Sequence, residues 1–200
     1  MNASVEMNFN AEGWLTRGAR KRGSPHHDQR PAQRTPELIV IHSISLPAGL
    51  YGGPYIEDLF QGTLDCSAHP SFQALAGLRV SAHFLIDRSG EVTQFVSVCD
   101  RAWHAGVSEF QGEPACNDFS IGIELEGCDT DRFTEAQLSC LKALCIHCQR
   151  FYPSLCWIAG HSDIAPGRKT DPGPYFPWKN FLSELSVEGI SLTRPFDRRA

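Results

Sequence analysis

Two hundred residues, 42% of them apolar and 20% charged, suffice for one globular core and exclude a disordered or fibrous chain. A net charge of −5 with both signs interspersed excludes a general attraction to nucleic-acid phosphates or anionic lipid. No apolar stretch approaches the length of a bilayer crossing.

The first thirty residues are polar and lack the apolar segment of an export signal, so the chain is expected to act in the cytoplasm. Residues 1–35 read as an irregular N-terminal segment packed on the domain, with a short strand near Trp14 and Leu15. The run Glu37-Leu-Ile-Val-Ile-His42-Ser-Ile44 is nearly all apolar and ends in turn residues, as a buried strand does. Glycine and proline then punctuate two short helices, at 55–61 and 71–77. Residues 80–87 and 92–98 flank Asp87-Arg88-Ser89-Gly90 and predict a hairpin. Residues 120–127 alternate strictly as a strand. Ser120, Gly122, Glu124 and Glu126 share one face, and Ile121, Ile123 and Leu125 share the other.

Thr134 followed by Gln137 is a capping-box pattern that opens a helix to about 151. Leu138, Leu141, Leu144, Cys145, Cys148 and Phe151 form its apolar stripe, so the Cys145–Cys148 pair reads as core. The other cysteines (Cys66, Cys99, Cys116, Cys128, Cys140 and Cys156) show no framework spacing, and all eight are expected to be free thiols. A short strand at 156–159 leads to Gly160-His161, and the following stretch to 178 is too rich in proline and glycine for regular structure. Helices and strands alternate without a regular βα rhythm. The expected fold is therefore mixed α/β, a single domain with a central mixed β-sheet flanked by helices. Residues 36–182 form that domain, and 183–200 a short helix and polar tail.

Among eight histidines, His42 near the end of a buried strand and His161 just past another hold the places where site mouths open. Asp171 follows His161 by ten residues, and Pro172 restricts it to extended backbone. Two imidazoles and a carboxylate are a zinc set with a fourth position left for water. Two glutamates on one strand face require that Glu124, Glu126 or both look at solvent or at a site. Arg168-Lys169, inside the loop that carries Asp171, could stabilise a developing oxyanion.

Several stretches occur in an order matching a known family: Ser24-Pro-His-His-Asp-Gln-Arg-Pro31, Val40-Ile-His42-Ser-Ile-Ser-Leu-Pro47, Leu78-Arg-Val-Ser-Ala-His83, Arg101-Ala-Trp-His-Ala-Gly106, Cys116-Asn-Asp-Phe-Ser-Ile-Gly-Ile-Glu-Leu-Glu-Gly127 and Gly160-His-Ser-Asp-Ile-Ala-Pro-Gly-Arg-Lys-Thr-Asp-Pro-Gly-Pro174. The chain resembles the type-2 N-acetylmuramoyl-L-alanine amidases from about residue 13 to 178. That resemblance implies the fold shared with peptidoglycan-recognition proteins. It also implies one zinc ion per chain on His42, His161 and Asp171, with Glu124 as the base and Lys169 as the oxyanion partner. Arg79, Trp103 and His104 fall in segments bordering the substrate groove of relatives. The implied activity is zinc-dependent hydrolysis of the amide between the lactyl group of (1,6-anhydro-)N-acetylmuramic acid and L-alanine, in peptidoglycan recycling. The expected partner is a small muropeptide, not a nucleic acid or membrane, and the expected state is a monomer. Two positions depart from the family's habit: Ser43 stands where relatives often have Asn, and Ala115 where a basic residue is usual. The competing readings are a muropeptide-binding module without catalysis, an amidase of intact murein, and a general zinc peptidase.

Overall fold

The structure is a computed structural model and describes residues 7–196; the first six residues of the N-terminal segment and the last four of the tail lie outside the described residues. Its strands in chain order are β1 (Arg20–Lys21), β2 (His27–Gln29), β3 (Leu38–Ile44), β4 (Phe84–Ile86), β5 (Val92–Gln94), β6 (Asp100–Ala102), β7 (Glu109–Phe110), β8 (Glu113–Pro114), β9 (Ser120–Glu126) and β10 (Trp157–Gly160). The helices are α1 (Tyr55–Gln61), α2 (Glu135–Phe151), α3 (His161–Ile164) and α4 (Trp178–Val187), with 3₁₀ turns at Pro70–Leu75 and Cys116–Phe119.

Six strands make one mixed sheet in the order β1-β5-β4-β9-β3-β10. The central pairs β4–β9, β9–β3 and β3–β10 are parallel, and β4–β5 is the antiparallel hairpin expected from sequence. The parallel pairing explains the near-continuous apolar run of β3, because both faces of that strand are covered. On one face Ile39, Ile41, Phe84, Ile121, Ile123 and Leu125 pack with Leu141, Leu144, Cys145 and Cys148 of α2 and Phe181 and Leu185 of α4. Each such aliphatic side chain, fully buried, contributes roughly 1.5–3 kcal/mol. The helix α2 starts where its capping box places it. Thr134 Oγ1 accepts from the Gln137 N–H and Gln137 Oε1 accepts from the Thr134 N–H, both at 3.1 Å.

The other face carries Leu38, Val40 and His42 of β3 beside Ser120, Gly122 and Glu124 of β9. Its covering comes from Phe110, Cys116 and Phe119 at one end and from α1 with Val80 and Phe95 at the other. Between these two apolar clusters the polar residues of the sheet are left together.

Three local expectations differ from the structure. The hairpin strands are only three residues long: past the Phe95 N–H to His83 O bond (2.9 Å), the Ser81 N–H turns to Trp103 O (3.1 Å) and the Val98 N–H to Gly13 O (3.1 Å), both outside the hairpin. Within residues 1–35, β1 joins the main sheet beside β5, and β2 pairs with β6. The proline-rich stretch after β10 opens with one helical turn, α3, where the Ala165 N–H donates to His161 O at 2.9 Å. The boundary read at 182/183 falls inside α4. Beyond it Leu185, Ile190 and Leu192 are buried, and Thr193 bridges to Trp157.

Candidate metal centre

His42 is the fifth residue of β3 and lies opposite Glu124 in the β3–β9 register. His161 opens α3 at the end of β10, which lies on the other side of β3. Asp171 is tied back to this point by a hydrogen bond from Ser162 N–H to its carbonyl oxygen, 2.9 Å. The three side chains converge: His42 Nδ1 and His161 Nδ1 are 2.9 Å apart, and Asp171 Oδ2 lies 3.2 and 3.1 Å from them. Ligand atoms at the corners of a zinc tetrahedron are about 3.3 Å apart, close to this spacing.

The donor chemistry supports a cation. His161 Nε2 lies 3.0 Å from the Ala105 carbonyl, which only accepts, so that nitrogen carries the proton and Nδ1 carries the lone pair. A lone pair facing a carboxylate oxygen across 3.1 Å, with another imidazole nitrogen alongside, has no attraction of its own and needs a shared positive charge. Burial pushes the His42 imidazole down to about 4, leaving it in the neutral form a metal ligand requires. Among the described residues these are the three that can share an ion.

Glu124 adds the second half of the site. Its Oε2 is buried and has no hydrogen-bond partner. Burial pushes the carboxyl well above the usual carboxylate range; the charge of Asp171 raises it further, and Lys169 opposes. Lys169 itself is exposed at the rim. Glu126, two residues on, is occupied structurally: it accepts from Gly52 N–H at 2.6 Å and Arg88 N–H at 3.1 Å, holding two loops. The two glutamates that alternation left equivalent are thereby separated.

Two hollows meet at the cluster and share Ser43, Lys169 and Asp171. One, about 550 Å³, is walled by small and polar residues such as Ser45, Gly49, Cys128 and Thr130. The other, about 260 Å³, is walled by apolar residues such as Leu46, Phe60 and Val80 and reaches Glu124, His104 and His161. Together they form a groove across the cluster.

The family model for N-acetylmuramoyl-L-alanine amidases (Amidase_2) matches residues 32–174. The chain belongs to this amidase family. It is 55% identical to the Escherichia coli K12 1,6-anhydro-N-acetylmuramyl-L-alanine amidase AmpD over 178 residues, 88% of this chain and 97% of that one. A solved AmpD crystal structure superposes with a TM-score of 0.86 at 53% identity, covering 88% of this chain and 98% of the other. The Escherichia coli amidase AmiD, solved with anhydro-N-acetylmuramic acid-L-Ala-D-γ-Glu-L-Lys, gives a TM-score of 0.53 at 27% identity, covering 92% of this chain and 66% of its own. The expected amidase fold, a mixed α/β domain around a central sheet, is thus present.

The remaining residues singled out from sequence take different places in this amidase. His104 is buried against His42, with Nδ1 2.9 Å from His42 Nε2. Trp103 stands beside His26 and donates from Nε1 to Asp28 Oδ1 at 3.1 Å. Arg79 is exposed and lines a third hollow with His26, Gln61 and Leu78, whose apolar wall is shared with the groove. Arg168 donates to the Ala105 and Val107 carbonyls, each at 2.6 Å, and Asp163 is paired with Arg194. Sequence reasoning missed Ser120, Asn117 and Arg30. Asn117 Oδ1 accepts from the His104 and Ala105 N–H groups at 3.1 and 2.8 Å. Arg30 donates to the Asn117, Asp118 and Ser120 carbonyls. Ser120 shares the alternating face of Glu124, the one signal in the sequence that could have found it. No helix among the described residues is long and apolar enough to cross a membrane.

Proposed function

We propose that this protein hydrolyses the amide joining the lactyl group of 1,6-anhydro-N-acetylmuramic acid to L-alanine, using one zinc ion held by His42, His161 and Asp171. The observation that carries the reading is the convergence of those three donors beside a buried, unpartnered Glu124 oxygen at the floor of a groove. The identity to AmpD over nearly its whole length supports the choice of substrate.

When bound, zinc supplies Lewis acidity, polarising a carbonyl and easing the ionisation of water. Glu124 takes the proton of the attacking water, whose oxygen bonds to the lactyl carbonyl carbon. Lys169, at the rim of both hollows, faces the negative charge that develops on the carbonyl oxygen. Glu124 then delivers its proton to the alanine nitrogen as the C–N bond breaks, because an unprotonated amine anion leaves poorly. A base with a raised pKa suits both halves of that exchange. Arg79 lines the adjoining third hollow and Trp103 stands beside His26 in its wall; both are proposed as muropeptide contacts. Every catalytic group lies within 36–182 of one chain, and a monomer suffices. All eight cysteines are free, which supports action in the reducing cytoplasm on recycled fragments.

The test is a mass-spectrometric product assay on 1,6-anhydro-N-acetylmuramoyl-tripeptide. Free tripeptide is expected, and a chelator should abolish its release until zinc is restored. Glu124→Gln should lower kcat by a factor on the order of 10² or more with zinc content unchanged. Near-normal turnover in that variant would remove Glu124 from the scheme, and tight muropeptide binding without product would favour a binding module.

A further inference from the structure

Behind His42 runs a line of polar contacts that the reaction itself does not touch. His42 Nε2 lies 2.9 Å from His104 Nδ1, His104 Nε2 lies 3.1 Å from Ser120 Oγ, and Ser120 Oγ lies 2.5 Å from the Cys116 carbonyl oxygen. The last group sets the direction of every bond before it. A carbonyl only accepts, so the Ser120 hydroxyl donates to Cys116. Ser120 Oγ then accepts from His104 Nε2–H, which leaves the His104 lone pair on Nδ1. That lone pair accepts from His42 Nε2–H, so the free lone pair of His42 sits on Nδ1, the atom turned toward His161 and Asp171.

We propose that His104 is a positioning residue of the metal centre: with Ser120 it orients His42 and fixes the tautomer that presents Nδ1 to the ion. The proposal rests on the zinc-amidase reading above. A second carbonyl does the same for the other imidazole, since Ala105 O accepts from His161 Nε2–H at 3.0 Å. Both controls come from one dipeptide, 104–105, whose two N–H groups are held by Asn117 Oδ1. The space for the His104 ring comes from Gly122, where a Cβ would stand 2.4 Å from His104 Cγ and 2.5 Å from Nδ1. A ring placed only to fill volume has no need of this alignment. Here His104 lies edge-to-face with His42 at 86°, with an acceptor aimed at one nitrogen and a donor at Ser120.

The experiment uses the full chain and three variants. H104L removes the acceptor, H104N keeps an amide oxygen near the position of Nδ1, and S120A leaves the ring but removes its anchor. Zinc affinity is measured by chelator competition, and the histidine tautomers of the zinc-loaded protein by ¹⁵N NMR of the ring nitrogens. H104L should weaken zinc binding about 10- to 100-fold, the range typical of lost partners of ligand histidines. H104N should stay within a few-fold of wild type and S120A should fall between them. The wild-type spectrum should show His42 protonated at Nε2. Undiminished zinc affinity in H104L, H104N as weak as H104L, or a His42 without an Nε2 proton would each overturn the proposal. If H104L does not fold, S120A and H104N decide together: unchanged affinity in S120A overturns the proposal, and weakening in S120A with H104N intact supports it. A wild type that binds no zinc sinks the zinc-amidase reading together with this one, whereas normal zinc binding in every variant sinks this one only.

Discussion

Gly160 ends β10 where no side chain fits, since a Cβ there would stand 2.7 Å from Pro172 Cδ. Its backbone is ordinary (φ −82), so the constraint is space and not conformation. Pro172 is bonded to Asp171, and the close approach is what lets Asp171 reach back to His161. Gly160→Ala should therefore push the loop outward. We expect a loss of about 1–3 kcal/mol in stability and a zinc affinity at least several-fold weaker. Thermal melting and chelator competition check this; unchanged zinc affinity would show that the loop absorbs the extra carbon. At this scale the sequence was readable for residue type and silent on contact. The pattern of 120–127 marked Glu124 and Glu126 alike. Only the loops folded over the strand reveal that Glu126 is consumed by the N–H groups of Gly52 and Arg88, while Glu124 keeps an oxygen without a partner.

Among the elements, α2 was legible end to end, because a long amphipathic period and its cap are written in neighbouring residues. Cys145 and Cys148 illustrate the point. Their spacing suits a metal pair, yet both are fully buried among Ile, Leu and Phe side chains, and burial pushes both thiols above their usual range. The double substitution Cys145→Ser and Cys148→Ser should leave one zinc per chain while lowering stability by roughly 1–3 kcal/mol per buried hydroxyl left without a good partner. Metal analysis beside urea denaturation distinguishes the outcomes, and loss of zinc would move the metal site to α2. The short strands were less legible. The β4–β5 hairpin stops after three residues because the Ser81 and Val98 N–H groups turn to the carbonyls of Trp103 and Gly13, partners outside the hairpin, the latter far away in sequence and invisible to local pattern.

The molecule as a whole concentrates buried neutral imidazoles behind its groove. Burial pushes His42 down to about 4 and holds His83 and His104 well below the usual range, with Arg30 also lowering His83 and His42 also lowering His104. All three are uncharged in the fold but take up protons in the unfolded chain near pH 6.5. Below pH 6.5 these three sites bind fewer protons in the fold, outnumbering the one extra proton that Glu124 keeps there, so stability must fall as the pH drops through the window from 6.5 to 4. For His42 alone the loss is on the order of 3 kcal/mol once pH 4 is passed. Urea denaturation of the metal-free protein at pH 7.5 and pH 5 should show the decline, with more than one proton taken up per molecule unfolded. Equal stability at both values would mean these imidazoles are already charged in the fold.

By itself the chain of residues determined the buried strand around His42, the α2 stripe and its cap, the hairpin turn, and the kinds of donor able to hold a metal. Those features depend on residues a few positions apart, where periodicity and turn chemistry act directly. The tertiary structure decided what those donors meet. Parallel pairing of β3 with both β9 and β10 sets His42 between Glu124 and the start of α3, and the return of the 171 loop closes the cluster. It also decided that His104 and Ser120 stand behind His42. Such encounters join residues up to 129 positions apart. Their energy comes from packing whole elements together, so no local stretch of sequence contains it.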